Sequence, residues 1–359
     1  MKKLDPDTQN WLKYEQLRDF KRKKKNSRRR SRKHAAREKY FYAVPDSFSL
    51  YDKDTANITL NFINQIRNIN VEQLNMNLII INFINTRKIT AAAVICLHAT
   101  ISIMRRYNKD LKVKAINIRS SVEKELLKSS GFLREDINIT DKDVTVPHLM
   151  PIRTGLAHDA GKSISKVVDD MNTAFYSGEL DKDENLGKRD LIHQAIHEAI
   201  LNVSNHAYDD YDADFVTSIG ERWWVLGQQI GNQIHVLFYD YGHGIPVTLP
   251  RQKGFHKLLN LINTYLPYGN DCAMIKAATE LKRSRHEAEG VEGRGTGLDR
   301  ILRFARKNPR GVVWIFSNKG SYLYESYKKE GAETMYDLKS SVNGTLIQWN
   351  IELPNEEKN

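Results

Sequence analysis

Glu198 and Asn202 stand four residues apart in the stretch Lys188 to Tyr208, KRDLIHQAIHEAILNVSNHAY. On a helix that spacing projects both from one side, where a carboxylate and a carboxamide one turn apart can position a divalent metal and a water beside a phosphate. Three pieces downstream add to this pair. The chain reads FYDYGHGIP from Phe238 to Pro246, which sets the Asp240 carboxylate before a tight bend containing Gly242 and Gly244. From Gly293 to Leu298 it reads GRGTGL. Backbone N–H groups of Gly293, Gly295, Thr296 and Gly297 would there face a phosphate at the start of a helix, whose dipole favours the negative charge. From Asn343 to Pro354 it reads NGTLIQWNIELP, a Gly-Thr pair that places Thr345 at the head of a strand.

The surrounding periodicities supply elements to hold these groups. Ile192, Ala195, Ile196, Ala199, Ile200 and Val203 recur at three and four, which predicts a helix with one buried stripe under Glu198 and Asn202. Strands are expected at Arg222 to Ile230 and Gln233 to Asp240, joined as a hairpin at Gly231-Asn232. A helix over Leu298 to Arg306 follows the second glycine cluster. Two strands are expected around Asn318-Lys319-Gly320, and a last one over Thr345 to Leu353. Pro246 to Glu292 is a long insert with a helical middle, Asp271 to His286, and a polar end rich in Arg and Gly, the composition of a mobile lid.

The order of these pieces is acid–amide helix, Asp-x-Gly-x-Gly, Gly-x-Gly-x-Gly-Leu, Gly-Thr strand. Over roughly Leu156 to Pro354 it resembles the GHKL (Bergerat-fold) nucleotide-binding proteins: gyrase-type topoisomerases, heat-shock chaperones, mismatch-repair ATPases, histidine kinases and anti-sigma-factor kinases. The resemblance implies an α/β sandwich, a mixed sheet covered by helices, that binds ATP and Mg²⁺. Asp240 would accept a hydrogen bond from the adenine amino group, and Gly242 and Gly244 would let the backbone pass close under base and ribose. Gly293, Gly295, Thr296 and Gly297 would hold phosphates, Thr345 would reach adenine through water, Asn202 would hold Mg²⁺ and Glu198 would act as catalytic base. Arg283, Arg285 and Arg294 are candidate phosphate clamps by charge and proximity. The string Glu198-Ala199 … Asn202 … His206-Ala207 is similar to the anti-sigma-kinase branch. Asn205 departs from it, since many relatives carry a basic residue there.

Upstream, strand, helix, strand and helix patterns at Leu78 to Phe83, Ile89 to Tyr107, Val113 to Ile118 and Ser121 to Ser130 imply a parallel sheet, with Gly131 ending the last helix. This segment resembles a STAS domain, more distantly. Asn82 stands at the family's Asp position and Ala91 and Ala92 where phosphate-accepting serines would be, leaving Thr90 as the nearby hydroxyl. A docking module is expected, with no regulatory phosphosite. Domains are therefore expected at 1–40 (a basic, disordered N-terminal arm), 41–146 (STAS-like) and 147–359 (GHKL-type), with the break marked by Pro147 and Pro151.

Bulk numbers agree with a chain of this organisation. Its 359 residues are 40% apolar and include five Trp, enough for sizeable cores. The net charge of +11 is local: Lys21 to Lys33 holds ten Lys or Arg and no acid. Such a block repels itself and suits contact with a polyanion, nucleic acid among them, or a solvated tail. Cys96 and Cys272 read as reduced, buried thiols. The longest apolar run, Leu78 to Ile84, is interrupted by Asn82, so no membrane span is expected; with no apolar core near the start, a cytoplasmic protein is.

Two tempting motifs fail on spacing. GLAHDAGKS, from Gly155 to Ser163, would need glycine where Leu156 stands to be a P-loop, so Gly161, Lys162 and Ser163 are assigned to a helix start. His193 and His197 are i and i+4, but after Glu198 the zincin pattern requires His where Leu201 stands. The expected function is an ATP-driven conformational switch. An anti-sigma-type serine/threonine kinase and a non-catalytic, ATP-gated nucleic-acid binder are the alternatives. Protein docking through the STAS-like unit, nucleic acid through the arm and a homodimer are the partner expectations.

Overall fold

The computed structural model describes residues 39–69, 78–118, 126–132, 148–157, 160–175, 194–208, 220–252, 254–280, 297–328 and 332–352. The protein is of the mixed α/β class. Its largest feature is a seven-stranded sheet built from β6 (Leu149–Leu156), β7 (Arg222–Ile230), β8 (Gln233–Asp240), β9 (Val312–Ser317), β10 (Gly320–Glu325), β11 (Ala332–Asp337) and β12 (Thr345–Glu352). The strand order is β11-β10-β9-β12-β8-β7-β6, and each pair is antiparallel.

Parallel pairing belongs to the N-terminal part. There β1 (Lys39–Ala43), β3 (Leu78–Asn82) and β5 (Lys112–Ile116) form a sheet in the order β1-β3-β5, and β2 (Ser47–Phe48) pairs β4 (Lys88–Ile89). Two helices accompany these strands. The first, α1 (Lys53–Arg67), is started by Asp52, whose carboxylate accepts from the Asp54 and Thr55 N–H groups. The second, α2 (Ala91–Tyr107), is buried at every residue from Ala91 to Met104, as a helix with apolar residues on all sides must be. Two of its polar side chains are paired: the Thr100 hydroxyl donates to Cys96 O, and His98 Nδ1 meets Phe132 O at 2.9 Å.

Alternation along the strands gives the large sheet two faces. One carries Trp224, Leu237, Tyr239, Trp314, Phe316, Leu346 and Gln348. The N-terminal part covers it: α2 lies against β7 and β8, Tyr51 packs on Trp314, and the Tyr51 hydroxyl donates to Gln348. The opposite face carries Trp223, Phe238, Asp240, Ile315, Ser317, Tyr322, Thr345 and Trp349. It is covered by α6 (Asn270–Glu280), which packs against α5 (Leu259–Tyr265), and by α7 (Gly297–Lys307), with Lys276 set over the Tyr322 ring and Arg306 over Tyr324. The described residues make one compact unit, and a continuous core joins the N-terminal part to the large sheet.

Most expected elements are present within a residue or two. The β7–β8 hairpin turns at Gly231, with φ 57°, and Gly131 ends its helix with φ 72°. Pro151 differs from its expected role as a breaker: it lies inside β6, an edge strand whose register shifts between Met150 and Arg153, where a missing N–H costs the ladder little. That strand runs into the GLAHDAGKS segment, taking in its first two residues, Gly155 and Leu156. The helix start assigned there holds, because α3 (Ala160–Phe175) begins within it. The expected break at 147, the Lys21–Lys33 arm and most of the lid's polar end lie outside the described residues. Cys96 and Cys272 are free and buried, and burial pushes each thiol up to about 12. No helix among the described residues is long and apolar enough to cross a membrane.

Candidate functional site

The site is built around the end of β8. Asp240 is the last residue of that strand and sits opposite Trp223 on β7 and Thr345 on β12. Thr345 in turn faces Ser317, the last residue of β9. Three strand ends therefore bring Asp240, Thr345 and Ser317 onto one face. The Ser317 and Thr345 hydroxyls are 3.1 Å apart, and Ser317 Oγ also accepts from the Ile245 N–H at 2.8 Å.

Asp240 is 6% exposed, and its Oδ1 accepts from the Gly242 N–H at 2.9 Å. Burial pushes its pKa up to about 7, against the pull of N–H donors from Gly242 and Thr345. A buried carboxylate held by backbone donors is suited to receive one more donor from a ligand.

The bend after β8 needs its glycines for space. A Cβ on Gly242 would overlap the Ala207 carbonyl oxygen, and one on Gly344 would overlap Asp240 O, with φ at 105° besides. Gly244 also lies at positive φ, 81°, against Ser317 and Asn318. Asn318 ties this bend to the β9–β10 turn through Nδ2 donating to His243 O at 2.8 Å.

The helix carrying Glu198 and Asn202, α4 (194–202), continues as a π-helical turn, Val203–Ala207. Ala195, Ile196, Ala199, Ile200 and Val203 are buried as the periodicity required. Glu198 is buried and Asn202 half-buried. The wider turn follows Asn202 at once and delivers Ala207 to the glycine bend, where His243 N–H donates to Ala207 O at 2.7 Å. Tyr208 adds a second tie: its hydroxyl donates to Arg222 O and accepts from the Tyr241 N–H at 3.2 Å. The acid–amide helix and the Asp240 bend are thus joined through one hydrogen-bonded junction.

Of the expected site residues, Asp240, Gly242, Gly244 and Thr345 come together, and Glu198 and Asn202 are carried by the helix pinned to them. Gly297 opens α7, whose backbone starts there. Gly293, Gly295 and Thr296 lie outside the described residues, as do Arg283, Arg285, Arg294 and His193. No group of three or more His, Cys, Asp or Glu side chains is placed to hold a metal among the described residues. Thr90, the hydroxyl singled out near the start of α2, is buried and donates to Phe48 O.

Ser317, Asn318 and Tyr208 were not anticipated. Ser317 read as an ordinary strand end and Asn318 as a turn residue; the one available signal was the position of Asn-Lys-Gly in a tight connection, with Asn318 at φ 49°. In comparisons with known proteins, no protein-family model matches this chain and no curated protein is similar to it.

Proposed function

We propose that the protein binds Mg-ATP in the manner of the GHKL group and uses binding and hydrolysis as a conformational switch. The observation that carries this reading is Asp240: a buried carboxylate at a strand end, flanked by a glycine bend too tight for a Cβ and by the Gly344-Thr345 pair. Such a group selects a base edge that offers a donor, as adenine's amino group does, over one that offers a carbonyl.

The residues present fit that ligand. Asp240 would accept from the base, Thr345 and Ser317 would offer hydroxyls beside it, and Asn202 would be the protein's ligand to Mg²⁺, an ion that keeps several waters and takes phosphate oxygens. The nucleotide supplies an activated γ-phosphate as electrophile. Glu198 would orient a water and take its proton. Gly293, Gly295, Thr296 and Gly297 are proposed to cradle phosphates at the start of α7.

Measuring ATP binding and phosphate release with Mg²⁺ tests this directly. Wild type should bind and release phosphate, Glu198→Ala should bind without release, and Asp240→Asn should lose binding. Absence of binding by wild type overturns the reading. The Glu198 to Ala207 string favours one second reading, a serine/threonine kinase of the anti-sigma type. It predicts transfer of labelled phosphate to a protein acceptor in place of steady release.

A further inference from the structure

The two sides of β8 meet different parts of the chain. Asp240 faces the candidate site, while its neighbours Tyr239 and Tyr241 turn to the opposite face, where α1 lies. Arg67, the last residue of α1, stands with its guanidinium 4.5 Å from the Tyr241 ring centroid. Its Nη2 lies 3.5 Å from the Tyr239 hydroxyl, from Thr100 Oγ1 and from Val342 O, and its Nη1 donates to Asn64 Oδ1 at 3.0 Å.

The same helix holds the loop that leads into Gly344-Thr345. Asn57 Oδ1 accepts from the Lys339 N–H, Asn64 Nδ2 donates to Ser341 O at 3.0 Å, and Asn343 Nδ2 donates to Asn64 Oδ1 at 2.9 Å. The Tyr239 hydroxyl meets the Val342 and Asn343 carbonyl oxygens at 3.0 and 2.7 Å. One polar face of α1 therefore reaches both sides of the base end of the site: the end of β8 and the bend after it through Tyr239 and Tyr241, and the loop that leads into β12 through residues 339–343.

We propose that Arg67 is a positioning residue that fixes the Asp240 bend against the Gly344-Thr345 strand from behind the sheet, making helix α1 an input to the site. Gly344 packs on Asp240 O with no room for a Cβ, so a shift of the 339–343 loop moves Thr345 against Asp240. Packing alone would not select an arginine here. Its Nε is buried without a hydrogen-bond partner, a desolvation cost that an apolar side chain of similar length would avoid. This inference rests on the nucleotide-site reading for its consequence, and on contacts alone for its mechanism.

Two measurements on the full chain, with Arg67→Met and Arg67→Lys, separate the two. The first needs no nucleotide. In native-state hydrogen exchange, Arg67→Met should speed the amides of Gly242, Asn318 and Val342 about tenfold, leaving those of β10 and α6 unchanged; lysine should restore part of the protection. The second is Mg-ATP affinity, expected to fall about tenfold in Arg67→Met and less in Arg67→Lys. Unchanged exchange at the three amides overturns the proposal, as does an equal rise across all strands, which marks plain destabilisation. If wild type binds no ATP but local exchange responds, the nucleotide reading falls and the coupling stands. Should Arg67→Met fail to fold, Asn64→Ala, which removes the contacts to Ser341 and Asn343, carries the same exchange test with the same outcomes.

Discussion

At the scale of residues, Asp240 makes the sharpest prediction. The folded protein holds its proton up to about pH 7, whereas the unfolded chain releases it near the ordinary carboxylate value. The folded state therefore binds more protons across that window. Its contribution to stability is greatest below about pH 4 and is lost as pH rises through 7, by on the order of 4 kcal/mol. Thermal unfolding of Asp240→Asn should show a flatter fall in Tm between pH 5 and 8 than wild type, and equal slopes would refute the assignment. Under the proposed ATP reading ligand binding has the opposite dependence, because the carboxylate is a stronger acceptor than the neutral carboxyl: ATP affinity should rise from pH 6 to 8 in wild type. Gly242→Ala tests the junction with Ala207. With backbone as its neighbour the new methyl cannot be accommodated by a side-chain shift, and a loss of about 2–4 kcal/mol is expected in denaturant titration.

At the scale of elements, the start of α6 is held by a group from elsewhere in the chain. The first N–H groups of α6, from Asp271 and Cys272, donate to the Asp337 carboxylate of β11, at 3.1 and 2.8 Å. Asp337 thus acts as an N-cap supplied from a distant strand, and Asp337→Ala should cost about 1–2 kcal/mol, read as a lower denaturation midpoint with an unchanged m-value. Asp271 passes the tie on by accepting from the Lys319 N–H, which binds α6 to the β9–β10 turn beside the site. A second arrangement on this face is the buried Lys276 between Glu280 and Glu333, at 3.2 and 2.7 Å. Lys276→Ala would leave Glu333 without its ammonium and should destabilise by about 3 kcal/mol, whereas Lys276→Met should cost less.

At the scale of the whole molecule, α2 decides the behaviour. A helix buried from Ala91 to Met104 cannot be exposed without opening the core, so residues 38–359 should unfold in one transition, with coincident near- and far-UV circular dichroism. A chain beginning at residue 148 would bare Trp224, Trp314, Phe316 and Leu346 on one sheet face. It should be recovered aggregated, and a monodisperse, folded product would contradict the shared core.

How much was legible in the sequence follows from which interactions are local. The β7–β8 hairpin, the α4 stripe and the Gly131 cap were readable because period, turn chemistry and positive φ act over a few residues. The glycine positions at 242, 244 and 344 were readable as a pattern, though not what each would touch. Helix α1 was not read: its Asn-rich sequence, KDTANITLNFINQIR, dilutes the stripe of Leu60, Ile63 and Ile66, although Asp52 offered a cap signal. Strand β11 was missed as well, since AETMYD is a half-exposed edge with weak apolar alternation.

By itself, then, the sequence determined the residue types of the candidate site, their order and the local elements that carry them. The tertiary structure alone decided that Asp240, Thr345 and Ser317 share one face, because register is set by pairing of β12 with β9 and β8, which places Thr345 opposite residues 28 and 105 positions away. It also decided that the N-terminal part docks on its own large sheet, placing Arg67 behind Asp240, since apart from Asn64 on its own helix the arginine meets residues 100, 239, 241 and 342, which leave no trace in local spacing.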